Sequence, residues 1–225
     1  MIYLHGLSHS DDGGQATGSS AARVPSLVSD TNRFCGYDRA NVGSSDRVAG
    51  PITGKSAADD LDRLLTAAKI EPPYLLLGAS FGGLVAEIYA ANHPDQVTGM
   101  LLLDAGYPDE LKMEALSPKS ERLNHEKTGD SGWATTHEQM DELAAYQDAA
   151  ALIGKEPKIP MTYLLADPPS YGGGPPGYDD AFPKRLASFA KRYSPGKVLK
   201  VRAPHYMEAA IPERIAEEID KLAAK

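Results

Sequence analysis

Apolar residues along the chain gather in short runs, and longer stretches of helical period lie between them. "MIYLH" (1–5), "RFCGYD" (33–38), "YLLLGA" (74–79), "VTGMLLLD" (97–104), "MTYLLAD" (161–167) and "KVLKVRA" (197–203) have the length and character of strands. After Ser56, Leu61, Leu64, Leu65 and Ala68 recur on one helical face, and Asp59 follows the serine at capping-box spacing. From Phe81 on, Leu84, Val85, Ile88 and Tyr89 share a second face. A further helix opens with Pro212 and Glu213, closes with Lys221 and Lys225, and buries Ile215, Ile219 and Leu222; its charges complement the helix dipole. Strand and helix alternate throughout. This predicts βαβ units, hence an α/β fold: a mostly parallel sheet of about six strands with helices on both faces.

Three stretches interrupt the alternation. Residues 8–20, "SHSDDGGQATGSS", are polar and Gly/Ser-rich and read as a loop, with a weak helix over Ala21–Ser29. Residues 168–178, "PPSYGGGPPGY", read as a second loop. Residues 105–158 exceed an ordinary connection of about 2–6 residues. They contain the helical run "THEQMDELAAYQDAAALIG", with Thr136 as its expected N-cap and Gly154 as its stop. The expected organisation is a core of 1–104 and 159–225 carrying a small helical cap insertion at 105–158.

Composition narrows the function classes. The 225 residues suit one domain. Net charge is −8 and no Lys/Arg stripe stands out, which argues against a nucleic-acid partner. Cys35 is the single cysteine, so no internal disulfide forms; in its strand-like setting it reads as a small buried apolar residue. No apolar run reaches the roughly 20 residues of a membrane span. "MIYLHG" lacks the basic and apolar regions of a secretion signal, so the expected location is cytoplasmic. Monomer and homodimer both remain open.

The junction after the third strand run is Gly78-Ala79-Ser80-Phe81-Gly82, a G-x-S-x-G pattern between a buried strand and a helix. That is the setting of a nucleophile elbow: a sharp turn exposes the serine hydroxyl, and glycines two before and two after avoid collision. A helix N-cap serine after a strand is the bland alternative. A serine hydroxyl needs a base to become a nucleophile, and histidine titrates near working pH. His93 sits at a helix end, and His9, His125 and His137 lie in polar stretches. His205 follows the last strand run, which places it at the C-terminal edge of a parallel sheet, where Ser80 also lies. The alternative is a solvated loop histidine. His5 and His9, four apart on a strand end and a loop, do not make a metal-binding helix face, no G-x-G-x-x-G occurs, and neither metal nor cofactor is expected.

"HG" at 5–6, "YDRANVGSSD" at 37–46, "GASFGG" at 78–83, "HPDQVTGMLLLDA" at 93–105 and "PHYMEAAIPERIAEEI" at 204–219 together resemble the α/β-hydrolase superfamily, most closely its single-domain bacterial serine esterase- and lipase-like members. The likeness covers most of the chain in order, apart from the loops and residues 105–158. It implies the α/β-hydrolase fold, here without the family's usual first two strands. It implies an oxyanion hole from the backbone N–H groups of Leu7 and Phe81, with Gly6 allowing close approach and His5 bracing the loop. Asp38, Arg39 and Asp46 would organise their own loop. The third catalytic member would be an aspartate orienting His205. The family's usual site lies just beyond Asp167, which is followed by Pro168-Pro169; some relatives use the preceding strand, whose end is Asp104. Asp104 is preferred, Asp167 is the alternative, and Asp179 and Asp180 trail both.

The resulting expectation is a serine hydrolase cleaving a small-molecule carboxylic ester through Ser80, His205 and Asp104. Thioesterase, lactonase, perhydrolase and acyltransferase chemistry would use the same groups. Dehalogenase and epoxide-hydrolase relatives carry an aspartate nucleophile, which Ser80 argues against. A non-catalytic ligand receptor on the same fold is the competing class. Met113, Leu116, Trp133 and Met140 are candidate pocket linings, or equally the insertion's own core.

Overall fold

A computed structural model describes residues 1–8, 23–28, 33–110, 138–167 and 178–224. Its centre is one six-stranded sheet, every pairing parallel, in the order β2-β1-β3-β4-β5-β6. The strands are β1 (Ile2–Leu4), β2 (Cys35–Gly36), β3 (Tyr74–Ala79), β4 (Val97–Leu103), β5 (Met161–Ala166) and β6 (Gly196–Val201). The helices are α1 (Arg23–Val28), α2 (Gly54–Ala67), α3 (Phe81–Asn92), α4 (Glu142–Ala150), α5 (Tyr178–Ala190), α6 (Met207–Ala210) and α7 (Pro212–Ala223). The expected architecture is present: six strands with helices on both sides.

Alternation along the strands divides the core in two. Leu76, Met100, Leu102, Tyr163 and Leu165 pack with α2, α3, α4 and α5 on one face. Leu75, Leu77, Leu101, Leu103 and Leu164 pack with α1 and α7 on the other. Burial on both faces explains why β3 reads as an unbroken apolar run rather than an alternating one. It also explains α3, which is buried from Phe81 through Ala90 and lies against β1, β3, β4, α2 and α4.

Three local expectations need correction. The N-cap of α2 is Thr53, not Ser56: its side chain accepts the Ser56 N–H, and Ser56 closes the capping box from position N3. Both residues are good caps, and the sequence pattern favoured the later one. "RFCGYD" yields a strand of only two residues: β2 is an edge whose one partner strand among the described residues is β1, and Cys35 is only partly buried there. The helix expected from Thr136 begins at Glu142, where Asp141 caps it by accepting the Ala144 N–H; Thr136 itself lies outside the described residues. Tertiary pairing wins over helix propensity just before that cap. Ile52 donates to the Gln139 carbonyl at 2.9 Å, and Asp141 donates to the Ile52 carbonyl at 2.8 Å, so Met140 runs extended beside Ile52.

Register brings the C-terminal strand ends level. Leu4 stands opposite Gly78, which stands opposite Leu102, and Ala79 stands opposite Leu103. The residues that follow β1, β3 and β4 therefore emerge side by side along one edge.

Candidate active site

Ser80 sits between β3 and α3 with φ 50° and ψ −124°, a conformation that costs a non-glycine residue on the order of 1–3 kcal/mol. Neighbouring strand ends hold it there. Its N–H donates to the Leu103 carbonyl at 3.0 Å, and its carbonyl accepts from Gly83 N at 3.0 Å and Gly106 N at 3.1 Å. The glycines are a packing requirement. A Cβ on Gly82 would stand 2.6 Å from the His5 carbonyl oxygen, and one on Gly78 would stand 2.8 Å from Gly83 Cα. Ser80 occupies the N-cap position of α3, but its side chain makes no capping bond there and the hydroxyl is directed elsewhere.

It is directed at His205, in the loop between β6 and α6. His205 Nε2 lies 3.0 Å from Ser80 Oγ, and Nδ1 lies 2.8 Å from Asp104 Oδ2. Asp104 closes β4 with φ 39° and is fully buried. Its Oδ1 accepts the Ala166 N–H at 3.2 Å, and its own N–H donates to the Leu164 carbonyl at 2.8 Å. An ionised carboxylate this deep requires such partners. Asp167, the alternative, is exposed; its backbone N–H continues the ladder to Val201 at the end of β6. The side chains of Asp179 and Asp180 lie outside the described ones.

The hydrogen bond from His205 Nδ1–H to Asp104 raises the His205 pKa above its usual range. Partial burial opposes the rise, and the charges of Asp104 and Glu208 add to it. With the proton on Nδ1 donated in a hydrogen bond to the carboxylate, Nε2 of the neutral ring is left to accept from Ser80 Oγ. Sequence reasoning missed Glu208. It is buried one turn after His205 and accepts a 2.7 Å hydrogen bond from Tyr3 in β1. Nothing local announces that pair, whose members are 205 positions apart. Also missed was Tyr206, 64% exposed, its ring 5.5 Å from that of His205.

The loop after β1 carries Leu7. His5 is buried; its Nδ1 donates to the Gly6 carbonyl at 2.7 Å and its Nε2 accepts the Arg39 N–H at 3.2 Å. Burial, and the Arg39 charge next, push its pKa well down, so it is a neutral brace rather than a base. Arg39 is buried too. Its guanidinium donates to the His5 carbonyl (2.6 Å) and the Gly6 carbonyl (2.7 Å), pairs with buried Glu138 (2.8 and 2.9 Å), and lies over the Phe81 ring at 5.5 Å. Glu138 also accepts the Ser8 N–H at 2.5 Å. Arg39 was expected to organise a loop; its bonding to Glu138, 99 positions away, was not foreseen.

Of the candidate pocket residues, Met140 is buried in the core cluster that holds Ile52 and Ile88 rather than in an open cleft. Met113, Leu116 and Trp133 lie outside the described residues. Among the described residues no group of three or more His, Cys, Asp or Glu is arranged to hold a metal ion, and no helix is long and apolar enough to cross a membrane.

A parallel sheet whose strand ends present a serine on a strained strand–helix turn, a histidine and a buried aspartate defines the α/β-hydrolase class. Residues 1–150 match the family model described as "alpha/beta hydrolase fold", and the chain belongs to that family. An uncharacterized protein YqjL of Bacillus subtilis is 32% identical over 95 residues, covering 41% of this chain and 38% of that protein. The chain spans no more than about two-fifths of the length of the curated relatives it matches. Among solved structures, mouse alpha/beta hydrolase domain-containing protein 10 superposes with TM-score 0.68 at 18% identity, covering 98% of this chain and 88% of that one. A thermophilic esterase from Thermogutta terrifontis gives TM-score 0.61 at 20% identity, covering 98% and 87%. At these identities the structural likenesses speak for the fold.

Proposed function

We propose that the chain is a serine hydrolase that cleaves carboxylic esters through an acyl-enzyme. The observation that carries this reading is the unbroken line from buried Asp104 through His205 to Ser80 Oγ, at 2.8 and 3.0 Å. These are hydrogen-bond distances suited to proton transfer.

His205 Nε2 takes the hydroxyl proton as Ser80 Oγ attacks the ester carbonyl. The C=O π bond opens and a negative oxygen forms, facing the backbone N–H groups of Leu7 and Phe81. Each such donor is worth on the order of 10²–10³ in rate. The intermediate collapses, the C–O bond to the alcohol breaks, and His205 gives its proton to the departing oxygen. Asp104 keeps the ring oriented and favours its charged form without itself taking the proton. Water, deprotonated by His205 in turn, attacks the acyl carbonyl; the bond from that carbon to Ser80 Oγ breaks, His205 returns the proton to Oγ, and the acid leaves. Thioesters, lactones and acyl transfer to other acceptors fit the same machinery.

Turnover of p-nitrophenyl esters from acetate to palmitate, with Ser80→Ala beside the parent, tests the reading. The parent should turn over at least one chain length, and Ser80→Ala should lose on the order of 10⁴–10⁶ in kcat. A parent inert across the series, or a Ser80→Ala variant as active as the parent, would refute it.

A further inference from the structure

The buried Arg39–Glu138 pair does more than organise its own loop. A peptide group is planar and trans, so its C=O and N–H point in opposite directions. Fixing the Gly6 carbonyl therefore fixes the direction of the Leu7 N–H, because the two belong to one plane. The Gly6 carbonyl is held by Arg39 Nη2 at 2.7 Å. The preceding plane is held through the His5 carbonyl by Arg39 Nη1 at 2.6 Å, and the following one through the Ser8 N–H by Glu138 Oε1 at 2.5 Å. Three successive peptide planes around Leu7 are thus each held by one ion pair, His5 Nδ1 adding a second donor to the Gly6 carbonyl at 2.7 Å, and the same guanidinium lies over the ring of Phe81.

Glu138 is the member that fixes the arginine. Its two oxygens take Arg39 Nε at 2.8 Å and Nη2 at 2.9 Å, a bidentate fork that sets the guanidinium plane. Glu138 is itself anchored from behind. Its carbonyl accepts from Asn41 Nδ2 at 3.0 Å, and the next residue, Gln139, accepts the Gly50 N–H through its side chain and the Ile52 N–H through its carbonyl. The carboxylate therefore has little freedom to swing.

We infer that Glu138 is a positioning residue for the oxyanion hole: acting through Arg39 and Ser8, it aims the Leu7 N–H at the charge that develops in the transition state. This rests on the serine-hydrolase reading above, and the two fail separately. Misdirecting a donor weakens transition-state stabilisation and leaves ground-state binding of the ester alone, so the loss falls on kcat and not on KM.

The test compares the parent, Glu138→Gln and Glu138→Asp with the best p-nitrophenyl ester of the series, well below the lowest melting temperature. An amide offers one acceptor oxygen where the carboxylate offers two: in place of Oε1 it still takes Ser8 and Arg39 Nη2, but its NH₂ then faces Arg39 Nε and the fork that sets the guanidinium plane is broken. Glu138→Gln should lose about 10- to 100-fold in kcat, part of what removing a whole donor costs, with KM within about twofold. Glu138→Asp, which keeps the charge and both oxygens, should recover part of the loss. Removing one partner of a buried ion pair strands the other charge, so Glu138→Gln can fail to fold. Arg39→Lys, which keeps the charge but loses the fork, then carries the same kcat-selective expectation. An active parent with kcat within about threefold of it in the folded variant, a KM that rises as kcat holds, or a loss matched by the unfolded fraction would overturn the inference and leave the ester-hydrolase reading standing. A parent inert on every ester removes both.

Discussion

At the scale of single residues, the site is governed by which atom holds which proton. Asp104 raises the affinity of His205 for a proton, and only the neutral ring can act as base. On the proposed chemistry, the acid limb of kcat/KM should therefore lie above the ordinary histidine value of about 6.5. Activity should be present above that limb and lost as pH falls through it. Asp104→Asn removes the raising influence and favours the wrong tautomer. It should move the limb to lower pH while cutting kcat by about 10⁴, where a purely structural role would lower activity without displacing the limb. A pH–rate profile of both proteins decides this. Asp104 and Asp167 also show where sequence stops. Each closes an apolar strand run, and each was a reasonable partner for His205. Spacing cannot say which carboxylate turns inward, because that depends on Asp104 having φ 39° and on an N–H from β5 waiting at Ala166.

Elements supply the rigidity that single residues cannot. The β3–α3 turn works because nothing larger than glycine fits at Gly82, under the carbonyls of Leu4 and His5. Gly82→Ala would gain about 0.5–1 kcal/mol of helix preference. Overpacking against backbone that cannot move costs about 1–3 kcal/mol, so the clash wins. A fall of several degrees in the melting temperature is the expected outcome, with loss of the proposed ester turnover, read by thermal unfolding and the p-nitrophenyl assay. Element types were the most legible part of the sequence, because periodicity reports burial, and burial is what the sheet and its two helical layers impose. Boundaries were less so where tertiary contacts decide them. Thr53 and Ser56 are both good caps, and Met140 is drawn into a bridge with Ile52 by partners nearly ninety positions away.

For the molecule as a whole, Glu87 carries an uncompensated electrostatic cost. It is buried in α3, its Oε1 has no hydrogen-bond partner, and burial drives its pKa well up. The Arg192 charge opposes that rise, and Glu110, Glu156 and Asp109 reinforce it. The folded state then holds a proton that the unfolded chain releases above its ordinary carboxylate pKa. Stability is full below that value and declines as pH rises towards the folded pKa. Glu87→Gln keeps the shape and removes the titration, so its denaturation midpoint should gain on the parent's as pH is raised from about 5 to 9. Parallel pH dependences for the two would refute this. Long-range pairs such as Tyr3–Glu208 and Arg39–Glu138 were invisible beforehand for the same reason that Glu87 was. Sequence patterns report neighbours along an element, whereas these groups meet only when the sheet has closed.

Ser80 and His205 lie 125 positions apart, and the turn at Ser80 is stapled by Leu103 and Gly106. On the proposed chemistry this gives vectorial synthesis a safety catch. While the nascent chain leaves the ribosome, the hydroxyl emerges first, unstrained and without a base. It is armed only after β4 has paired and the chain has grown past His205, so incomplete chains have no means of acylating themselves or their neighbours.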